Sequence, residues 1–493
     1  MVDEPYSATR ESLARHRVPP WWQDAKFGVL ITWGPYAVPA FAEPTDSFFA
    51  FSEWYWFFQQ LAPGELHDAL PQQASDGGRS PDGLHRDYHR DAFGANVTYD
   101  DLLDRWRAEK WDPQDWIDLI ERSGAGYFVL VAKHHDGVAL WPTATSGRNS
   151  VDLGPRRDVV GELMRAAEAS PLHTGLFYAM AEWFNPAPHP RVMADQNDPL
   201  FDLAFNRQRR AADRDTGESV GYRGYRPVSD YARGHVVPQI EELIHDYEPS
   251  ILWFDLPGDS EYYKADRLIA DFYNSAEERE TDGVLVNDRA SADAHGDFHS
   301  YEYGLHPRDT SGERPFEACR SIGTSFGYNA REEDDDYASS AELIETLVEV
   351  VADGGNLLLN IGPRADGTID PRQSDRLREI GRWLETNGVA IRGSRPWPGA
   401  PKGPIRFTVG ADGCLYGFLP AQAMDSKTID LPVRIIAGTT VEYLDSPPLN
   451  WERRDHGTRV SVAAASQSDA VPGAPRVIRL GLATDALGTP SQR

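Results

Sequence analysis

Between about residue 25 and residue 390, short apolar runs alternate with longer amphipathic ones, and this alternation restricts the fold more than any other property of the chain. Apolar runs bounded by turn-forming residues read as strands of a parallel sheet, buried on both faces. The candidates are Phe27 to Trp33, Tyr127 to Lys133, Thr174 to Met180, Ile251 to Asp255, Gly283 to Asn287 and Asn356 to Ile361. Helices with recognisable ends lie between them. Asp112-Pro113 starts one, with Asp as N-cap and Pro at the first helical position, and Gly124 follows its end. Asp370-Pro371 starts another that closes near Asn387-Gly388, and further helices cover about Val159 to Ala169, His235 to Tyr247 and Ala341 to Val351. Strand and helix in turn over this length predict an α/β fold, a (β/α)8-like barrel.

Past the Pro-rich stretch Pro396 to Pro404 the texture changes to short alternating runs, with Asp412-Gly413 marking a hairpin. The expected division is a catalytic barrel over residues 1–395, a β-sandwich over 396–483 and a disordered tail over 484–493. The segment Gly64 to Arg90, rich in Gly, Asp, His and Pro, reads as a surface loop.

Two domains also fit the length of 493 residues, which exceeds one ordinary core. The net charge of −28 repels nucleic acid and anionic membranes, so neither is an expected partner. Only six Lys contribute to the positive side, the rest being Arg, and this acid excess with Lys depletion reads as adaptation to high salt. No run of 18 apolar residues exists, and the polar, acidic start is no secretory signal, so a cytoplasmic location is expected. Cys319 and Cys414 are too few for a disulfide framework or a zinc ribbon. Self-association into a homo-oligomer is left open by the sequence.

Chemistry gathers at the ends of the strands. Ile251-Leu-Trp-Phe-Asp255 runs straight into a carboxylate at the C-terminal end, where parallel barrels carry their active sites. Taken alone, such an Asp is more often the N-cap of the next helix. The other strands weigh against that reading. Trp33 to Tyr36, Glu53-Trp54-Tyr55, Lys133-His134-His135-Asp136, Tyr178 with Glu182-Trp183, Asn287-Asp288-Arg289 and Tyr301-Glu302-Tyr303 form a series of polar and aromatic clusters at the same end, which predicts one shared pocket.

His134 and His135 do not suggest a metal. Neighbours on a strand point to opposite faces, and no His-Glu-x-x-His or Cys cluster accompanies them. No metal and no cofactor is called for. Two carboxylates beside aromatic rings suit glycoside hydrolysis: one attacks the anomeric carbon and the other protonates the leaving oxygen. Asp255 is the first and Glu302 the best candidate for the second, with Glu53, Glu182, Asp288 and Glu317 as rivals on spacing alone.

At this point the chain resembles a known family, the α-L-fucosidases of glycoside hydrolase family 29. The matching stretches are Lys26 to Tyr36, Glu53-Trp-Tyr55, Gly126 to Gly137, Leu252 to Asp255, Val286-Asn-Asp-Arg289, Ser325 to Asn329 and Gly354 to Pro363. The resemblance implies a barrel followed by a β-sandwich, and an exo-acting, retaining hydrolase that releases α-L-fucose from a fucosylated oligosaccharide or glycoside. It implies Asp255 as nucleophile and Glu302 as general acid/base. Glu53, Trp54, His134, His135, Tyr178, Trp253 and Arg289 match positions that contact the sugar ring, and Phe326 matches an aromatic lining the sugar's methyl group. One position departs. The family reads Ile-His-Trp-Gly where this chain has Ile31-Thr32-Trp33-Gly34, and Thr32 is too short to replace the His in bonding a sugar hydroxyl. Two other readings stay open: a glycosidase for a related ring such as a β-D-galactoside, and a carbohydrate-binding homologue on an inactive barrel.

Overall fold

The computed structural model describes residues 4–488 except 45–49, 62–64, 66–82, 184–203, 206–222, 227, 256–258, 291–294, 304–313, 426, 445 and 463–470. Eight parallel strands make its main sheet: β1 (Phe27–Ile31), β2 (Tyr127–Lys133), β3 (His173–Ala179), β4 (Ile251–Asp255), β5 (Leu285–Val286), β6 (His299–Glu302), β7 (Phe316–Ser321) and β8 (Asn356–Ile361). β1 is flanked by both β2 and β8, with Val29 opposite Phe128 on one side and Leu359 on the other. The two ends of the sheet, β5 and β6, meet through a parallel bridge between Asn287 and Phe298, supported by Asp297 N–H donating to the Val286 carbonyl at 2.8 Å, and the sheet thereby closes into a barrel.

Period two sorts the strand residues into two buried layers. Leu30, Val129, Phe177, Trp253, Leu285 and Leu358 fill the barrel interior. Val29, Leu130, Leu176, Leu252, Val286 and Leu359 pack outward against the helices, whose own apolar stripes supply Ile120, Leu163, Leu243, Leu268, Leu347 and Leu384. The helix Pro113–Ser123 begins with Asp112 accepting from Gln114 N–H, and it ends at Gly124, whose φ of 79° lies in the left-handed region that glycine tolerates. At the N-terminal mouth, Trp22 packs 4.7 Å from Phe298 and its carbonyl accepts from Asn356 Nδ2 at 2.8 Å.

Beyond the barrel lie a five-stranded antiparallel sheet and smaller sheets of three and two strands. β9 (Arg395–Pro396) pairs with β10 (Arg406–Val409), which pairs with β11 (Cys414–Leu419). Along β11, Leu415 and Leu419 enter the core between the sheets, while Cys414, Tyr416 and Phe418 join the core of the barrel helices. The sandwich is therefore docked through an apolar face. Trp383 Nε1 donating to the Pro475 carbonyl at 3.0 Å adds a polar contact to it.

Within the sandwich the run Thr428 to Ile435 forms two strands, Thr428–Leu431 and Val433–Ile435, because Pro432 has no N–H to continue a ladder. Of the expected disordered tail over 484–493, Ala486–Gly488 pairs antiparallel with Val433–Ile435, and residues 489–493 lie outside the described residues. Of the expected loop Gly64 to Arg90, residues 84–90 belong to the helix Leu84–Phe93, which buries His85 and His89; the rest is largely outside the described residues. Among the described residues no helix is long and apolar enough to cross a membrane.

Candidate active site

Asp255 ends β4 with its side chain 15% exposed, in phase with Trp253 and so facing the barrel mouth. Arg289 Nη1 donates to its Oδ1 at 3.0 Å, and His135 Nε2 stands 3.4 Å from its Oδ2. His135 is turned this way because its Nδ1 donates to the Ala181 carbonyl at 2.8 Å. Burial alone would raise the Asp255 carboxyl, but the bond from His135 and the charge of Arg289 overrule it and hold the group well below the usual carboxylate range. The balance favours the ionised form of Asp255.

The same Arg289 Nη1 also donates to Glu302 Oε1 at the end of β6. Two oxygens that share one nitrogen stand no farther apart than the two contacts placed end to end. That upper limit is short of the roughly 6.5–9.5 Å that inverting pairs need and compatible with the about 5–5.5 Å of retaining pairs. Glu302, with its side chain 34% exposed, responds in the opposite sense to Asp255. Enclosure by the pocket walls raises its pKa, Arg289 lowers it and the negative charge of Asp255 raises it, and the net direction is upward.

The local sequence explains how Arg289 reaches both acids. Asn287 Oδ1 accepts from Phe254 N–H at 2.9 Å and its Nδ2 donates to the Phe254 carbonyl at 2.9 Å, so its side chain extends the pairing of β4 beyond the two-residue β5. Asp288 accepts from Ser300 N–H at 3.1 Å and bonds His299 Nδ1 at 2.8 Å, which ties the same turn to β6. Arg289 emerges from this clamp between the two strands that carry the acids. Its guanidinium lies 5.1 Å from the centre of the Trp253 ring.

Around the acids the expected walls assemble. Glu53 is 2% exposed and accepts from Gly327 N–H at 2.8 Å; burial raises its pKa to about 7. Trp54 meets His135 edge-on at 5.4 Å. His134 is 8% exposed, and burial lowers its pKa well below the usual range. Its Nδ1 has no partner among the described residues, so a neutral ring is left with a polar atom for a ligand hydroxyl. Phe326 stands edge-on to Phe51 at 5.5 Å and to Tyr303 at 5.4 Å.

Two expected residues sit elsewhere. Tyr178 is wholly buried in the strand–helix layer, where Lys133 Nζ donates to its hydroxyl at 2.9 Å and the hydroxyl donates to Gln239 Oε1 at 2.8 Å. It shares the phase of Leu176 and so faces outward; the interior residue of β3 is Phe177, stacked 5.3 Å from Trp253. Counting two back from the strand end in phase with Trp253 would have found it. Thr32, 2% exposed, donates to Asn360 Oδ1 at 2.6 Å, and Asn360 Nδ2 donates to the Phe326 carbonyl at 2.7 Å. Its hydroxyl proton thus supports the wall beneath Phe326 and is not offered to a sugar.

Of the rival acids, Glu182 lies behind β3 with Lys133 Nζ at 3.2 Å and His235 at 3.3 Å. Asp288 is spent on the β5–β6 turn. Glu317 is 1% exposed beneath Trp253, accepting from Trp253 Nε1 at 2.9 Å and from the Tyr127 hydroxyl. Tyr127 reaches it across Gly28, where a Cβ would meet the ring at 2.3 Å. Burial raises Glu317 from an ordinary 4.5 to about 7, with hydrogen bonds from Tyr127 and Trp253 among the influences opposing it. Between those values the folded state holds a proton that the unfolded chain has released, so this group weakens the fold as pH rises. Glu317→Gln removes the titration. The variant should gain on the parent by on the order of 1.4 kcal/mol per pH unit between about pH 5 and 7 in chemical unfolding curves. Parallel curves would mean that Glu317 is ionised in place.

A parallel barrel that brings two acids this close at its C-terminal face, in a pocket lined by aromatic rings, defines a glycoside hydrolase. Residues 1–389 match the family model described as Alpha-L-fucosidase. An α-L-fucosidase of Dictyostelium discoideum is 35% identical over 401 residues, covering 80% of this chain and 75% of that protein. Human plasma α-L-fucosidase is 30% identical over 473 residues, covering 90% and 87%. The crystal structure of Thermotoga maritima α-fucosidase in complex with fucose superimposes with a TM-score of 0.75 at 31% identity, covering 96% of this chain and 99% of that one. The chain belongs to the α-L-fucosidase family.

Proposed function

We propose that the protein is an exo-acting, retaining α-L-fucosidase in which Asp255 is the nucleophile and Glu302 the general acid/base. The observation that carries this reading is the single Arg289 nitrogen between the two carboxyl groups. Asp255, held ionised, attacks the anomeric carbon from the face opposite the leaving group. Glu302, drawn upward, protonates the departing oxygen. Once Asp255 is esterified its negative charge is gone, and with it one of the influences that raise Glu302. The same carboxyl then takes a proton from the incoming water. His134, His135, Glu53 and Trp54 hold the ring, and Phe326 faces its methyl group.

Proton NMR of the first product tests this. Hydrolysis of an aryl α-L-fucoside should release α-L-fucose before mutarotation, and initial β-L-fucose would overturn the retaining assignment. Turnover of an aryl β-D-galactoside in preference to the fucoside would favour the related-ring reading, for which Thr32 in place of His is the supporting observation.

We also propose that the protein works in high salt. With 77 acidic residues against 49 basic ones, self-repulsion is unscreened in dilute buffer. The thermal unfolding midpoint should rise steeply from low to molar salt, and a flat profile would remove this reading without touching the catalytic one.

A further inference from the structure

From Glu302 an open groove of about 1010 Å³ leads off the pocket, and none of Glu53, His134, His135 or Asp255 lines it. Phe51 and Tyr303 form its near wall, their rings 5.9 Å apart and tilted by 17°. Tyr303 directly follows the proposed acid/base. Its φ of 51° is a left-handed conformation that few non-glycine residues adopt, and its hydroxyl donates to the Thr324 carbonyl at 2.9 Å. The side chain is thereby fixed at the rim, and the residue stays 45% exposed. The far wall is acidic. Asp335 and Asp336 stand on it, followed by Glu342 and Glu345 from the helix Ser340–Ala352, while Glu349 farther along the same face is paired with Arg406. Arg320 is the one basic side chain among the described lining residues.

We propose that this groove binds the leaving group, and that it selects a neutral, hydroxyl-rich oligosaccharide over one carrying sulfate or carboxylate groups. The inference rests on Glu302 being the acid/base. A proton donor must touch the glycosidic oxygen, so the leaving group starts at Glu302 and continues where Glu302 opens, into the groove. Tyr303 and Phe51 offer a sugar ring an apolar surface. Carboxylates accept from the vicinal hydroxyls of a sugar. The same concave row of negative charge repels an anionic group, and salt screens that repulsion.

The test compares kcat/KM for three substrates: an activated aryl α-L-fucoside, a neutral fucosylated trisaccharide, and the same trisaccharide with one sulfate on its leaving-group portion. In low salt the sulfated substrate should fall at least about tenfold below the neutral one, and molar salt should narrow the gap. Charge reversal by Asp335→Lys with Glu345→Lys should bring the ratio to within about threefold. Tyr303→Ala should raise KM for the trisaccharide far more than for the aryl fucoside. A parent protein that cleaves the aryl fucoside but treats sulfated and neutral trisaccharides alike overturns this inference and leaves the functional reading intact. A parent inert toward the aryl fucoside overturns that reading, and the groove assignment with it.

Discussion

Asp255→Gly is expected to lower turnover of an aryl α-L-fucoside by at least about three orders of magnitude, the scale on which removal of a covalent nucleophile acts. Its neighbours at the barrel mouth are Arg289 and His135, cationic or donor groups that orient the carboxylate and cannot form the glycosyl ester. Azide should restore part of the rate, because a small anion fits where the side chain was and attacks the same face. The product should then be the β-L-fucosyl azide. Near-normal turnover by the variant, or rescue that yields the α-azide, would sink the assignment.

Glu302→Ala should divide substrates by leaving group. An oligosaccharide departs poorly without a proton, and its hydrolysis should drop by about 10²–10⁴-fold. An activated aryl fucoside, whose leaving group is already a stable anion, should lose much less in the first chemical step. Equal losses on both would shift the role to Glu53, the other carboxyl at the pocket, whose pKa burial raises to about 7. Glu317 no longer competes, since it is sealed beneath Trp253.

Much of the barrel was legible because its strands are buried on both faces and carry continuous apolar runs: Tyr127–Lys133, Ile251–Asp255 and Asn356–Ile361 match the expected strands residue for residue. β6 and β7 were not legible. His299–Glu302 has Tyr301 alone among polar residues, and Phe316–Ser321 carries Glu317 and Arg320, so neither has the apolar run that marks a buried strand. At the site, residue type and strand end pointed to Asp255, Glu302 and the histidines, but not to which face a side chain takes. Tyr178 fell on the wrong side of its strand for that reason, and Phe177 was passed over. The bridging position of Arg289 was equally unreadable, since it depends on side chains of Asn287 and Asp288 standing in for backbone pairing. Thr32 looked like a lost sugar contact, and its bond to Asn360 makes it a prop for the wall beneath Phe326.

The clamp formed by Asn287 and Asp288 has a further consequence. Asp255 and Glu302 stand on strands separated by β5, which contributes two residues and one bridge to the closure of the barrel. The spacing of these two acids is thus set at the place where backbone pairing is sparsest and a handful of side-chain bonds substitute for it. Local opening there needs far less than the free energy of global unfolding. On heating, hydrolysis should therefore fail at a lower temperature than the loss of helical signal, and amide hydrogens at residues 285–289 and 297–302 should exchange ahead of those in β1, β2 and β8. Bound fucose, by gripping both edges of the opening, would act as the missing strand pairing and bring the two temperatures together.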